Sequence, residues 1–249
     1  MSRTIALLNP GSASGKTTLA VNLATSLSLL EKRTLFIDCT STGAGSRILM
    51  DEESSDFGVS DVMSGLVGAR GAVVPGKNNW LDVMPASQGE SDVETLLAHN
   101  PEKEKALSLS LRPLMPSYEF LIIDTPSGDG LFVQSALAAS DGALVPIHPG
   151  WDVASQLKSA TACADSVITG GHPRLKIMGL VCMGPADESE LSFMATLPRC
   201  DAIQKGMTAG EAAAYVDVFS QGARACLELA MALVENPMPD FQRGTSSGT

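Results

Sequence analysis

Short apolar runs alternate with segments of helical periodicity along most of this chain. Apolar runs that predict strands lie at residues 5–8, 34–38, 81–85, 120–124, 143–146 and 177–182. Helical periodicity predicts helices at residues 15–30, 92–97, 102–111, 152–168 and 220–234. Residues 41–57 are polar and rich in Gly, Ser and acidic residues, which predicts a loop or a broken helix. This alternation predicts an α/β fold with a doubly wound, mostly parallel sheet.

Composition predicts one domain with a large core. The 249 residues are 44% hydrophobic and 18% charged, and no Pro/Gly-rich linker divides them. We therefore expect a single domain over residues 1–236 and a disordered tail over 237–249. No apolar run approaches the ~18 residues of a membrane span, and the run within residues 1–8 is too short for a signal peptide. These features predict a cytoplasmic protein.

The turn after the first strand carries the strongest chemical signal. Its sequence, GSASGKTT, spans residues 11–18 and directly precedes a helix. Small residues let backbone N–H groups surround phosphate oxygens, and the start of the helix adds a partial positive charge. Lys16 would reach the β- and γ-phosphates, and the Thr17 hydroxyl would bind Mg²⁺. The strict phosphate-loop pattern fails only at its first position, Pro10. An ordinary Gly/Ser turn with an exposed lysine is the alternative. The predicted phosphate-binding residues are Gly11, Ser12, Ala13, Ser14, Gly15, Lys16, Thr17 and Thr18.

A carboxylate at the end of another strand supports this interpretation. Asp124 ends the apolar run FLIID, about a hundred residues after the loop. An Asp at a strand end beside a phosphate loop holds Mg²⁺ as a Walker-B carboxylate does. This signal is weak alone and strong together with the loop.

With these motifs, the chain resembles the ParA/MinD family of deviant Walker-A ATPases over nearly its whole length. The segments that carry the resemblance are ALLNPGSASGKTTLAVNLATSL, LFIDCTSTG, FLIIDTPSGDGLFVQSALAASDGALVPIHP and LPRCDAIQKGMTAGEAAAYVDVFSQGARACLELAMAL. The last is similar to the ending of ParA-like members, and its LPR places Pro198 and Arg199 among the nucleotide-binding residues. The resemblance also places Asp38 near the Mg²⁺. It implies a homodimer that sandwiches ATP and positions a cargo, such as a plasmid or a large assembly, with a partner protein.

Two positions depart from the family pattern. The family's signature lysine falls at Gly11, which has no side chain. Members of the McdA type also lack that lysine and use a later one. The corresponding candidate here is Lys158, with an ordinary solvated helix lysine as the alternative. The family's catalytic carboxylate falls at Thr40. Asp129 in the SGDG turn could position water instead, or serve only as a turn residue.

The charge distribution bears on what the protein binds. The net charge is −11, and residues 151–249 carry seven Lys/Arg against eleven Asp/Glu. Non-specific DNA binding, which needs several cationic contacts, is therefore expected to be weak and confined to a local patch. The C-terminal tail lacks the amphipathic pattern of a membrane-binding helix.

Two functions remain after these observations. The first is a ParA-like ATPase that positions or partitions a cargo, with slow or absent hydrolysis. The second is a non-hydrolysing, nucleotide-binding scaffold or regulator in a secretion, conjugation or polysaccharide assembly, which Thr40 favours. A metabolic P-loop enzyme is a third hypothesis with less support from the sequence. Whether the chain is an ATPase depends on what replaces the carboxylate at Thr40.

Overall fold

The computed structural model describes residues 2–51, 56–87, 90–100, 102–185 and 193–236. The strands in this part of the chain are β1 Arg3–Leu7, β2 Thr34–Asp38, β3 Val74–Pro75, β4 Leu81–Met84, β5 Phe120–Asp124, β6 Gly142–Ile147, β7 Lys176–Met183 and β8 Ala195–Leu197. The α-helices are α1 Lys16–Leu29, α2 Ala44–Leu49, α3 Val59–Met63, α4 Glu90–Leu97, α5 Ala106–Leu111, α6 Leu131–Ala138, α7 Val153–Thr169, α8 Asp201–Ala209, α9 Ala213–Val216 and α10 Gln221–Glu235.

The strands form one sheet in the order β3-β4-β2-β5-β1-β6-β7-β8. Within the described residues, β3 pairs antiparallel with β4, and the other neighbouring strands pair in parallel. Leu7 at the end of β1 and Asp38 at the end of β2 both pair with Asp124 at the end of β5. The loops after these three strands therefore meet at one edge of the sheet, where open parallel sheets bind ligands.

Successive side chains of the central strands enter different layers. Leu35 and Ile37 of β2 belong to one buried apolar cluster, whereas Phe36 between them belongs to the other. The first cluster lies against α5, α6 and α7, and the second against α1 and α10. Helices therefore cover both faces of the sheet, which explains why strands of a parallel sheet are apolar at every position.

The predicted α/β fold with a doubly wound, mostly parallel sheet is confirmed. The structure differs from the predicted elements in detail. Residues 41–57, predicted as a loop or broken helix, contain α2, and the predicted helix at 102–111 divides into a 3-10 turn, Lys103–Lys105, and α5. The edge strand β3 was not predicted because it is two residues long and includes a proline, which edge strands tolerate.

Helix α1 is buried more completely than its sequence predicts. The periodicity placed leucines and alanines on one buried face, but Asn22, Thr25 and Ser28 on other faces are also buried. α1 packs against α2 and α10 as well as β2 and β5, so other elements cover its polar side. The predicted single domain at residues 1–236 stays a prediction, and residues 237–249 lie outside the described part. No helix in the described ranges combines the length and apolarity needed to cross a bilayer.

Candidate nucleotide-binding site

The loop between β1 and α1 has the backbone conformation of an anion-binding turn. Ala13 and Gly15 have positive φ angles of 53° and 89°. Such residues turn successive N–H groups toward a common centre, which favours an anion there. Gly15 is further restricted because a Cβ at this position would lie 2.7 Å from Met183 Cε. The end of β7 therefore packs directly against the loop, and the φ of 89° favours glycine at this position.

Lys16 spans the loop from within. Its side chain is buried, and Nζ donates hydrogen bonds to Asn9 O at 2.7 Å, Gly11 O at 2.9 Å and Ser14 Oγ at 3.2 Å. Burial lowers the pKa of Lys16 to about 8, and the carboxylate of Asp124 opposes this shift. The lysine is thus held inside the loop rather than exposed, which excludes the alternative of an ordinary turn with a solvated lysine.

Asp124 is a fully buried carboxylate without a hydrogen-bond partner. Neither of its oxygens forms a hydrogen bond with any residue of the described chain. Burial, followed by the charge of Asp38, raises the pKa of Asp124 to about 8, although the Thr17 hydroxyl and Lys16 lower it. The Thr17 hydroxyl is thus close enough to influence this carboxylate without completing a hydrogen bond. A buried carboxyl group with this raised pKa holds its proton near neutral pH, and its ionised form needs a compensating cation.

Asp38 lies beside Asp124 but is fully hydrogen-bonded. Its Oδ1 accepts from the Thr40 backbone N–H at 3.0 Å and the Thr40 hydroxyl at 2.6 Å. Its Oδ2 accepts from the Ser46 backbone N–H at 2.8 Å and the Ser46 hydroxyl at 2.6 Å. Asp38 therefore ties the loop after β2 to the start of α2, and its predicted role near the metal stays a prediction.

A pocket of about 690 Å³ opens at the ends of β1, β2 and β5, and Asp38 and Asp124 are not among the residues that line it. Its walls come from the loop after β1, the loop after β2 and the loop after β5, and they consist of Ala13, Ser14, Gly15, Lys16, Thr17, Thr18, Thr40, Ser41, Thr42, Thr125, Pro126 and Ser127. The Thr125 hydroxyl donates to Leu7 O and fastens the third loop to β1. The pocket is therefore large enough for a triphosphate and is lined by small side chains and hydroxyls.

The other predicted site residues lie outside this lining. Gly11 and Ser12 belong to the loop without lining the pocket, and Asp129 and Lys158 are exposed. Pro198 and Arg199 follow β8, and Arg199 Nη2 lies 2.5 Å from Nε2 of His148, whose ring stacks on Trp151. The roles predicted for Asp129, Lys158, Pro198 and Arg199 stay predictions.

The structure adds two amides that sequence reasoning missed. Asn9 Oδ1 accepts from the Gly11 N–H at 2.9 Å, and Asn9 Nδ2 donates to Pro146 O at 2.8 Å. Gln156 Oε1 accepts from the His148 N–H at 3.0 Å and lies 3.4 Å from Asn9 Nδ2. Together they connect the phosphate loop to the end of β6. Only the Asn-Pro-Gly turn signal could have pointed to Asn9.

Comparison with known proteins agrees with this geometry. The AAA_31 family model, described as an AAA domain, matches residues 2–178. The chain belongs to this family. ParA, the chromosome partitioning protein of Myxococcus xanthus, is 27% identical over 257 residues, covering 97% of this chain and 91% of the relative. ParA of Caulobacter vibrioides is 26% identical over 254 residues, covering 93% and 94%. These matches confirm the predicted membership in the ParA/MinD family of P-loop proteins.

Solved structures share the fold. Apo McdA of Cyanothece has a TM-score of 0.83 at 18% identity and covers 94% of this chain and 100% of that one. MinD of Pyrococcus horikoshii, complexed with Mg-ADP, has a TM-score of 0.77 at 21% identity, covering 94% and 96%. Cobyrinic acid a,c-diamide synthase of Mycobacterium smegmatis, with bound ADP and magnesium, has a TM-score of 0.80 at 22% identity, covering 97% and 100%. At these identities the likeness shows the fold alone.

Proposed function

We propose that the chain binds ATP together with Mg²⁺ in the pocket at the ends of β1, β2 and β5. The observation that carries the proposal is the buried Asp124, whose oxygens accept no hydrogen bond from the described residues and whose pKa is lowered by nearby Thr17 and Lys16 against the effect of burial. A hydroxyl and one or two carboxylates suit Mg²⁺, which takes its remaining ligands from phosphates and water. Lys16 would bind the terminal phosphates, and Thr17 and Asp124 would hold the metal. Bound Mg²⁺ would neutralise charge on the β- and γ-phosphates.

The same site supports an ATP-controlled switch of the ParA type. ParA relatives that match almost the whole chain bear names in chromosome partitioning. By this analogy the protein dimerises around ATP and, with an adaptor protein, positions or partitions a cargo such as a plasmid, a chromosome region or a large protein assembly. DNA contacts would be weak, because Lys205 pairs with Asp201 at 3.3 Å and Arg199 lies against His148.

Hydrolysis within this dimer would be slow or absent. The position of the family's water-activating carboxylate holds Thr40, whose hydroxyl donates to Asp38. A hydroxyl committed in this way is a poor general base, and such a base contributes about 10²–10⁴ in rate. Asp129 is exposed in its turn and would need to move to position water. Lys158 is exposed on α7 and is available to contact a partner protomer's phosphates in place of the lysine missing at Gly11.

A non-hydrolysing scaffold or regulator is the second candidate, and the Thr40–Asp38 hydrogen bond favours it. In that case nucleotide would stabilise the fold within a secretion, conjugation or polysaccharide assembly without a hydrolytic cycle. The two candidates make different predictions about mass. A switch changes its oligomeric state with the nucleotide, whereas a scaffold keeps one state.

The mass in solution, measured by light scattering with Mg²⁺ and ATP, ADP or no nucleotide, distinguishes the switch from the scaffold. We expect a dimer with ATP that persists for hours in the wild type and is absent in Lys16→Ala. Lys32→Ala is the matched control, because this lysine lies outside the pocket and pairs with Glu119 at 3.5 Å. Lys158→Ala would test the proposed partner contact. A mass that stays constant in all nucleotide states would reject the switch in favour of the scaffold.

A further inference from the structure

An arginine is hydrogen-bonded to one wall of the nucleotide pocket. Arg47 lies on α2, its side chain is exposed, and Nη1 donates to Thr42 O at 2.6 Å. Thr42 and its neighbour Ser41 line the nucleotide pocket. They also line a second cavity of about 610 Å³, which includes Arg47. The guanidinium therefore bonds directly to a residue that both cavities share.

This wall lies on the metal side of the pocket. Residues 40–42 follow β2, which pairs with β5, and the ends of these strands place Asp38 beside Asp124. In P-loop proteins the metal bridges the β- and γ-phosphates. If Asp124 holds the metal, the walls formed by residues 40–42 and 125–127 lie on the side of the terminal phosphate. ATP and ADP differ at that phosphate, so a cation on this side can distinguish them.

The backbone that carries Arg47 is firmly held, but its side chain is not confined. Ser46 is fixed by two hydrogen bonds to Asp38, and a Cβ at Gly45 would lie 2.5 Å from the Phe36 ring. Gly43, between Thr42 and α2, has a φ of 60° and carries no side chain. A Cβ there would lie 3.4 Å from Arg47 Nη1. Gly43 is buried beside Ala86, so the side chain of Arg47, rather than its backbone, would have to move to reach the nucleotide pocket.

The pocket also lacks a second positive charge. Among its lining residues, Lys16 is the only Lys or Arg. Gly11 supplies no cation. A guanidinium with several N–H donors is well suited to a phosphate oxygen. We propose that Arg47 binds the terminal phosphate of ATP within the same chain and makes the site prefer ATP over ADP.

This inference rests on the proposed nucleotide binding, and a structural role for Arg47 predicts something different. If the Arg47–Thr42 hydrogen bond only holds the loop, its loss should weaken ATP and ADP binding alike. If Arg47 contacts the terminal phosphate, its loss should weaken the triphosphate alone. The ratio of the two affinities therefore separates the roles.

The test is calorimetric binding of Mg²⁺-AMPPNP and Mg²⁺-ADP to the full chain. For Arg47→Ala we expect triphosphate affinity to fall by about 10- to 100-fold, with ADP affinity within about twofold of the wild type. The triphosphate affinity of Arg47→Lys should lie between that of the wild type and that of Arg47→Ala, because lysine keeps the charge and lacks the planar guanidinium. Arg70→Ala is the matched control, an exposed arginine whose Nη2 lies 3.4 Å from Pro113 O. Thermal melting without nucleotide checks that each variant folds.

Equal weakening of both nucleotides in a folded Arg47→Ala variant would overturn the inference and leave the proposed function intact. Unchanged affinities would overturn it as well. A wild type that binds neither nucleotide would reject the proposed function and the inference with it.

Discussion

Asp38 and Asp124 end neighbouring strands and pair in register, yet they stand in opposite electrostatic situations. Both carboxylates are fully buried. Asp38 accepts four hydrogen bonds, from Thr40 and Ser46. Asp124 accepts none from the described residues, and its pKa is raised to about 8. The fold therefore supplies hydrogen-bond donors to Asp38, whereas the described residues supply none to Asp124.

The difference indicates that the two carboxylates have different roles in the site. Asp38 stabilises the wall of the pocket that contains Thr40, and it contributes charge without offering a free oxygen. Neither oxygen of Asp124 accepts a hydrogen bond from the described residues, which lowers the free energy of unfolding of the nucleotide-free protein. Removing each carboxylate should therefore change the free energy of unfolding in opposite directions.

The largest expected effect is that of Asp38→Ala. Four hydrogen bonds to a charged acceptor would be lost, and the donors on Thr40 and Ser46 would be left without a buried partner. We expect the free energy of unfolding of the nucleotide-free protein to fall by about 3–5 kcal/mol. Urea denaturation measures this, with Asp141→Ala as a control that removes one hydrogen bond, from the Thr4 N–H at 2.9 Å. A fall below about 1 kcal/mol would show that these bonds do not hold the loop.

Asp124→Asn should have the opposite sign. The substitution keeps the shape and removes a carboxyl group that, while buried, must either hold its proton or carry a charge without a partner, so we expect a gain of about 1–3 kcal/mol at neutral pH in the absence of Mg²⁺ and nucleotide. The same denaturation experiment measures the gain. Destabilisation of the nucleotide-free protein would contradict the account, because it would show that the fold depends on the Asp124 charge.

The raised pKa of Asp124 also predicts a dependence on pH. The folded protein holds this proton up to about pH 8, because burial raises the pKa of Asp124 from its ordinary value of 3.8 to about 8. The contribution of Asp124 to stability is therefore complete below pH 3.8 and is lost as pH rises toward 8. The difference in unfolding free energy between Asp124→Asn and the wild type should grow over that interval, without Mg²⁺ or nucleotide. A difference independent of pH would mean that Asp124 is ionised throughout.

Thr40→Asp tests the wall that Asp38 supports. It restores the carboxylate of the family pattern, so we expect ATP turnover to rise by about tenfold or more. Thr40→Asn is the matched control, since it has the same shape without the charge. Turnover in a phosphate-release assay that stays at the wild-type rate in both variants would contradict the proposal that Thr40 limits hydrolysis.

The sequence predicts those parts of the site that are formed by residues close together along the chain. The loop at residues 11–18 and Asp124 at a strand end are local patterns with a direct physical purpose, and the structure places Lys16, Thr17 and Asp124 together. The partners of Asp38 were missed because Ser46 lay in a segment without clear periodicity. The packing of Met183 on Gly15 joins residues far apart in the chain, and no local pattern encodes it.

The most direct test of the account is calorimetric binding of ATP with and without Mg²⁺, in the wild type and in Asp124→Asn. We expect Mg²⁺ to raise the ATP affinity of the wild type by at least about tenfold, because the metal supplies the positive charge that compensates ionised Asp124 and the phosphates. We expect Asp124→Asn to lose most of that enhancement while remaining folded. ATP binding that is indifferent to Mg²⁺ in the wild type, or an enhancement that survives in Asp124→Asn, would contradict the central claim.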